Sequence, residues 1–334
     1  MKPIISFILT SYRNPQLVIN TVSDLVSLSK DYHTEILVAS TTIIDFESQN
    51  PVRNESRMTD AATQALEDLG YASNIVDFAK DCRGSACHDA FAGSTGDIYQ
   101  EDVTVLPKID FKNVTLRQFL NKDCSGEGLG IFPESSVRCF NFLANQAAAD
   151  FVVVAVDDHM VTGDLTSLLK NLTVENGTLS PFYNKKYKIG TLKGYPGSTP
   201  TCPGTRQYYE EERAYRESYI CCWPIFHKSV LDEFGGVLFN QSFYHHFCDN
   251  WISYWLFKQG EPIPIIHDLQ MHGRAKLVNK NNPGYDDVMF RTLVEYHDRG
   301  TLDYNVHITK PVELTVMPKS FGTAGALVKS PFSK

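Results

Sequence analysis

Three adjacent residues, Asp157, Asp158 and His159, follow directly on a continuous apolar run at residues 151–156. Such a run is typical of a strand that is buried on both faces. A buried strand cannot hold two carboxylates within its hydrogen-bonded length without a large desolvation penalty. The acidic pair is therefore expected at the carboxyl end of the strand, where α/β sheets bind their ligands.

The chemistry that this triplet suits is metal binding beside a diphosphate. Two carboxylates would repel a diphosphate unless a divalent cation lay between them. Asp157 and His159 flank one residue, as two ligands on one side of a turn would, and oxygen plus imidazole ligation suits Mn²⁺ or a similar ion better than Mg²⁺ alone. The alternative interpretation is a strand-end turn in which an aspartate caps a helix.

The elements that would position the triplet are those of an α/β fold. Residues 3–10 predict a strand, the apolar spacing within residues 17–28 predicts an amphipathic helix, and residues 35–40 predict a second buried strand. This opening predicts a mostly parallel sheet flanked by helices, with ligands at the carboxyl ends of its strands. Further helices are predicted at 59–70, 133–149, 228–234 and 249–259, and further strands at 219–226 and 263–267.

The predicted domain organisation is simple. Residues 80–130 carry scattered Gly, Asp, Lys and Cys and predict an irregular insertion. We expect one domain over residues 1–275, with residues 276–334 forming a C-terminal extension that packs on it.

Composition and charge exclude several classes of protein. The 334 residues are 43% hydrophobic and 21% charged, which is ordinary for a globular protein that buries a full core. A net charge of −8 argues against a nucleic-acid partner. No apolar run approaches the roughly 20 residues of a membrane helix. Eight cysteines without a paired CxxC pattern are interpreted as reduced thiols, so a cytoplasmic location is expected.

Four segments, in order along the chain, resemble the GT-A glycosyltransferase superfamily, and in particular its large inverting, family 2-like group. Residues 4–15 (IISFILTSYRNP) resemble an opening strand that ends in a turn at the nucleotide base. Residues 141–159 resemble the helix, strand and DxD motif. Residues 223–237 resemble the segment that ends in a Gly-Gly-Phe turn beside the acceptor. Residues 247–260 resemble the helix start that carries a catalytic acid.

This resemblance implies a GT-A fold, a nucleotide-sugar donor, a divalent cation (Mn²⁺ or Mg²⁺) and specific site residues. The implied nucleotide contacts are Thr10, Ser11, Tyr12, Arg13, Ser40, Asn141, Asp157 and Asp158. Arg138, one helical turn before Asn141, is a further candidate for nucleotide contact, with a helix-surface salt bridge as the alternative. The implied metal ligands are Asp157, His159 and His272, with His267 as the alternative to His272. Asp249 is the implied general base, a role compatible with capping its helix, and the helix dipole is expected to lower the pKa of its carboxyl.

Departures from the family pattern leave alternatives open. His159 stands where the family usually has Asp, and a DxH form is a feature of the retaining polypeptide N-acetylgalactosaminyltransferases. Ser40 stands where an acid often holds uracil, and Asp45 is a substitute for that acid. The expectation is a hexosyltransferase-like enzyme that moves a sugar from a UDP-linked donor to a glycan, lipid or protein hydroxyl with inversion. A retaining transferase and a nucleotide-sugar-binding module without turnover are the alternatives.

Overall fold

The computed structural model describes residues 2–11, 15–40, 42–46, 50–54, 109–124, 135–157, 159–172, 174–175, 178–179, 187–194, 221–243, 248–261, 263–273 and 293. Some sequence predictions lie outside these residues. They are the helix at 59–70, most of the segment 80–130, the extension 276–334 except residue 293, and the site residues Tyr12, Arg13 and Asp158.

Within the described residues the chain forms twelve strands and six helices. The strands are β1 (Ser6–Ser11), β2 (Thr34–Ser40), β3 (Thr42–Asp45), β4 (Asn50–Asn54), β5 (Val114–Leu120), β6 (Phe151–Val156), β7 (His159–Gly163), β8 (Val174–Glu175), β9 (Thr178–Leu179), β10 (Ile189–Gly194), β11 (Pro224–His227) and β12 (Ile265–Gly273). The helices are α1 (Pro15–Leu28), α2 (Asn121–Cys124), α3 (Ser136–Gln146), α4 (Leu165–Asn171), α5 (Ser229–Glu233) and α6 (Cys248–Lys258). No helix among them combines the length and apolarity that crossing a bilayer requires.

Eight strands form one mixed sheet in the order β5-β2-β1-β6-β11-β10-β12-β7. Strands β5, β2, β1 and β6 are parallel to one another, and β10 and β12 are also parallel. The three remaining pairings are antiparallel. The predicted α/β class, with helices flanking the sheet, is confirmed. The parallel half holds the predicted β-α-β opening as β1, α1 and β2.

Two strands differ from the sequence prediction. Strand β5 lies inside the segment expected to be irregular, and it forms because β2 pairs with it along its whole length. Strand β12 continues to Gly273, well past the predicted end at residue 267, because β10 and β7 hydrogen-bond to it on its two sides. Both differences come from pairing with strands distant in sequence.

The core is two apolar layers separated by the sheet. On β1, Ile8 packs in the layer formed with α3 and α6, whereas Phe7 and Leu9 pack in the layer formed with α1 and α4. The same alternation on β2 and β6 explains their continuous apolar sequences, since both faces are covered. The strand ends that carry the polar residues are therefore fixed by packing on both sides.

A buried carboxylate ties the amino ends of the parallel strands together. Glu35 on β2 is 2% exposed. It accepts hydrogen bonds from the Ser6 hydroxyl at 2.7 Å, from the Ala148 N–H at 2.8 Å and from the Arg117 guanidinium at 3.3 Å. One side chain thus links β1, β2, β5 and the segment after α3.

Replacing Glu35 by alanine is expected to lower the free energy of unfolding by about 3 kcal/mol, because buried donors are left without an acceptor. Urea unfolding followed by circular dichroism measures this change. Asp150→Ala is the control, since its ion pair with Lys2 is 61% and 59% exposed, and such pairs contribute at most about 1 kcal/mol. Equal losses in the two variants would contradict the role given to Glu35.

Candidate active site at the carboxyl edge of the sheet

The carboxyl ends of the parallel strands lie level with one another. Thr10 pairs with Val156 and Ser11 pairs with Ser40, so the residues that end β1, β2 and β6 share one edge. Thr10, Ser11 and Ser40 are buried there, and Asp157 follows β6 directly. This edge is where α/β sheets bind ligands, and the ligand contacts expected of these four residues stay predictions.

Asp157 is fixed by two neighbouring elements. The Ser11 hydroxyl on β1 donates to Asp157 Oδ2 at 2.5 Å. The Thr21 hydroxyl on α1 donates to the Asp157 carbonyl at 3.0 Å and lies 3.4 Å from the His159 carbonyl. Asn121 donates to the carbonyl of Ser11 at 3.0 Å and so fixes the serine in turn. The partly buried carboxylate is therefore held in one place by the fold.

His159 begins β7, and its ring packs against Trp223. The two ring centroids lie 5.3 Å apart with the planes tilted by 56°. Trp223 is itself 7% exposed, immediately before β11. The indole thus restricts the orientation of the His159 imidazole, which one residue separates from Asp157 in the chain.

Asp249 lies in the first turn of α6, as the sequence predicted, and is partly buried. Its Oδ1 accepts the Asn250 N–H at 2.9 Å, and its Oδ2 lies 3.3 Å from the Cys222 sulfur. Burial raises the pKa of the Asp249 carboxyl, and these hydrogen bonds offset the rise only in part. The prediction that the helix dipole lowers the pKa of Asp249 is therefore wrong in direction, because desolvation of the carboxylate outweighs its favourable position at the helix end.

Two adjacent residues connect the Asp249 carboxylate to the His159 imidazole. Strand β11 runs antiparallel to β6, with Ile225 opposite Val153, so the residues just before β11 pass the carboxyl end of β6. There Cys222 contacts Asp249 and Trp223 contacts His159. The structure thus brings the acid at the start of α6 to the same edge as the metal-binding candidates.

His272 does not join His159 in this arrangement. In the antiparallel β7–β12 ladder, His272 lies opposite Met160 and Gly273 lies opposite His159. Residues that pair share a face and successive residues alternate, so the two histidines project from opposite faces of the sheet. Exposed His267 lies still further back along β12. Within the described parts of the chain, no three acidic, histidine or cysteine side chains group together as a metal site.

Asn141 has a structural role in the fold. Its side-chain oxygen accepts the N–H groups of Leu238 and Phe239 at 2.9 and 2.8 Å, and its amide donates to the Phe239 carbonyl at 2.8 Å. These three bonds pin the segment after α5 to α3. These partners explain why a buried amide is needed here, and the nucleotide contact that the resemblance implies for Asn141 stays a prediction.

Arg138 lies in the first turn of the same helix α3. Its backbone N–H donates to the Ser135 hydroxyl at 3.4 Å, and its side chain is half-buried.

Two residues at the site, Thr21 and Cys222, have no role indicated by the sequence. Packing of α1 against the sheet brings Thr21 to Asp157, and the position of β11 beside β6 brings Cys222 to Asp249.

No protein-family model matches the sequence, and no curated protein is significantly similar to it. The chain is similar to several solved structures. Glucosyl-3-phosphoglycerate synthase from Mycobacterium tuberculosis, in complex with phosphoglyceric acid, is 11% identical over 90% of this chain and 81% of that chain, with a TM-score of 0.46. Mannosyl-3-phosphoglycerate synthase from Rubrobacter xylanophilus is 10% identical over 90% and 76%, with a TM-score of 0.46. A mannosyltransferase from Pyrobaculum calidifontis, in complex with GDP-Man and Mn²⁺, is 12% identical over 91% and 65%, with a TM-score of 0.41. Likenesses at this level do not assign an activity to this chain.

Proposed function

We propose that this chain is a metal-dependent glycosyltransferase of the GT-A kind, which moves a sugar from a nucleotide-sugar to an acceptor hydroxyl. The observation that carries the proposal is that two candidate metal ligands and a separate carboxylate lie at one edge of the sheet. Asp157 and His159 supply an acid and an imidazole, and Asp249 supplies a separate carboxylate, linked to them through Cys222 and Trp223. The reaction needs one group for the diphosphate and another for the acceptor.

The donor set at the end of β6 fits a divalent cation. Asp157 and His159 offer one carboxylate and one imidazole, a combination that suits Mn²⁺. Two protein ligands are enough where diphosphate oxygens and water complete the coordination, as at many nucleotide sites. When bound, the cation would neutralise charge on the departing diphosphate. Ser11 and Trp223 hold the two ligands in place, so little reorganisation would accompany binding.

Asp249 is proposed as the general base. Its carboxylate accepts the proton of the acceptor hydroxyl as that oxygen bonds to the anomeric carbon, while the bond from that carbon to the diphosphate breaks and the diphosphate leaves with the electron pair. Burial raises the pKa of this carboxyl, which makes it a stronger base than an exposed aspartate. Direct attack by the acceptor inverts the configuration of the sugar.

The nucleotide is proposed to lie along the ends of β1 and β2. Thr10, Ser11 and Ser40 line this stretch of the edge. We propose UDP as the nucleotide and Mn²⁺ as the ion on the strength of the sequence resemblance, which also suggests Tyr12 and Arg13 as contacts beyond β1.

A thermal-shift screen of nucleotide-sugars with and without Mn²⁺ tests this function. A true donor at 100 times its dissociation constant stabilises the fold by about 2.7 kcal/mol, a rise in Tm of several degrees. We expect this rise for a UDP-sugar only when Mn²⁺ is present, and expect EDTA to abolish it. Release of UDP, measured by a coupled assay, separates turnover from binding.

Two outcomes would overturn parts of the proposal. If the protein bound a nucleotide-sugar but released no nucleotide with any acceptor supplied, it would be a binding module and not an enzyme. A product that retains the anomeric configuration of the donor, measured by NMR, would remove the role of Asp249 as the base for direct attack. Absence of any metal-dependent stabilisation would contradict the function as a whole.

A further inference from the structure

We infer that Cys222 is a positioning residue for Asp249, whose carboxylate it orients through a thiol hydrogen bond. The inference rests on the proposed function, because it assigns Cys222 a part in the work of the proposed base. It concerns a residue for which neither the sequence pattern nor the resemblance suggests any role.

The first support is the geometry of the carboxylate. Its two oxygens have different donors, the Asn250 N–H at 2.9 Å on Oδ1 and the Cys222 sulfur at 3.3 Å on Oδ2. The backbone bond alone would leave the carboxyl plane free to turn about its bond to the β-carbon. A second donor on the other oxygen fixes that plane, and with it the lone pair that faces the acceptor.

The second support is the attachment of the cysteine segment to α6. The Cys221 N–H donates to the Ser253 hydroxyl at 2.8 Å, and that hydroxyl donates to the Asp249 carbonyl at 2.5 Å. The backbone before β11 is thereby tied to the first turn of α6 at a point next to the thiol contact. The Cys222–Asp249 distance is therefore set by the fold and does not depend on two mobile side chains.

The third support is the chemical character of the donor. A thiol is a weak, neutral donor, so it orients a carboxylate without the strong stabilisation of the charged form that Lys or Arg would bring. Burial and the charge of Asp249 raise the pKa of the adjacent Cys221 thiol, so that this thiol stays neutral. His159 contacts Trp223, the residue that follows Cys222 in the chain. Cys222 and Cys221 are both neutral, so neither of them lowers the pKa of Asp249 as a cation would.

Three variants with the full chain and Mn²⁺ test the inference. Cys222→Ala is expected to lower kcat about fivefold with an unchanged KM for the donor, the effect of one lost hydrogen bond. The acid limb of its pH–rate profile should move to higher pH by about half a unit, since the ionised carboxylate loses a donor. Cys222→Ser, which keeps a donor, should restore both values. Cys222→Val fills the volume without a donor and should behave as the alanine variant does, even if alanine loosens the packing.

Cys221→Ala is the matched control, because Cys221 is adjacent but its sulfur contacts the Gly190 carbonyl at 3.5 Å and not the carboxylate. Its acid limb should coincide with that of the wild type. An unmoved limb and an unchanged kcat in Cys222→Ala and Cys222→Val would overturn the inference and leave the proposed function standing. Absence of metal-dependent donor turnover in the wild type would overturn the proposed function, and this inference with it.

Discussion

Replacing Asp249 by asparagine is expected to lower kcat for sugar transfer by about 10³-fold, the contribution of a general base. Asparagine nearly preserves the shape of the side chain but cannot accept the acceptor proton at neutral pH. Binding of the donor with Mn²⁺ should be unchanged, because Asp157 and His159 remain. Steady-state transfer assays together with calorimetry of donor binding measure both quantities.

The fold of this variant should be little affected, which separates lost chemistry from lost structure. Burial raises the pKa of Asp249 in the folded chain above its value of 3.8 in the unfolded one. The folded state therefore holds this proton more tightly, and the associated stability is present at low pH and is lost as pH rises through the folded pKa. At neutral pH asparagine removes that unfavourable ionisation, although one hydrogen bond to the carboxylate is lost. We expect the free energy of unfolding to stay within about 1 kcal/mol of the wild type.

The pH–rate profile gives a further check on the same residue. Since the base acts only when ionised, kcat/KM of the wild type should rise with pH through a pKa above the ordinary aspartate value. The residual activity of the asparagine variant should lack this limb. A variant with the kcat and the limb of the wild type would show that another group takes the proton.

The parallel half of the sheet could be predicted from sequence because its information is local. Continuous apolar runs at β1, β2 and β6 indicate strands covered on both faces, and polar residues can then lie only at their ends. Ser11, Ser40 and Asp157 meet at one edge for this reason. The α/β class and this part of the candidate site follow from the same argument.

The remainder of the site depends on pairing between distant segments, which local patterns do not contain. The contact between Cys222 and Asp249 requires β11 to lie beside β6 and α6 to pack against that end of the sheet. The face on which His272 lies depends on its register with β7, and a shift of one residue would reverse it. The pKa of Asp249 reverses its expected direction because burial by the tertiary fold outweighs the local helix end.

Replacing Asp157 by alanine is expected to abolish metal-dependent turnover, with kcat/KM lowered by at least about 10³-fold, since loss of the cation removes several kcal/mol of stabilisation from the leaving diphosphate. The Mn²⁺ concentration needed for residual activity should rise as well. Of the two ligands proposed among the described residues, His159 would remain, and its imidazole carries no negative charge to attract the ion. Mn²⁺ titrations of UDP release measure both effects.

Asp150→Ala is the matched control, because Asp150 immediately precedes β6 at the opposite edge of the sheet and Asp157 immediately follows it. Removing the carboxylate of Asp150, at the amino end of β6, should leave the Mn²⁺ dependence of turnover unchanged. Ser11→Ala should give an intermediate loss, about tenfold in metal affinity, since its hydroxyl orients Asp157 without binding the ion. If Asp157→Ala kept the Mn²⁺ response of the wild type while Asp249→Asn lost turnover, the cation would have to be placed elsewhere along the edge. The base assignment would then stand without the metal assignment.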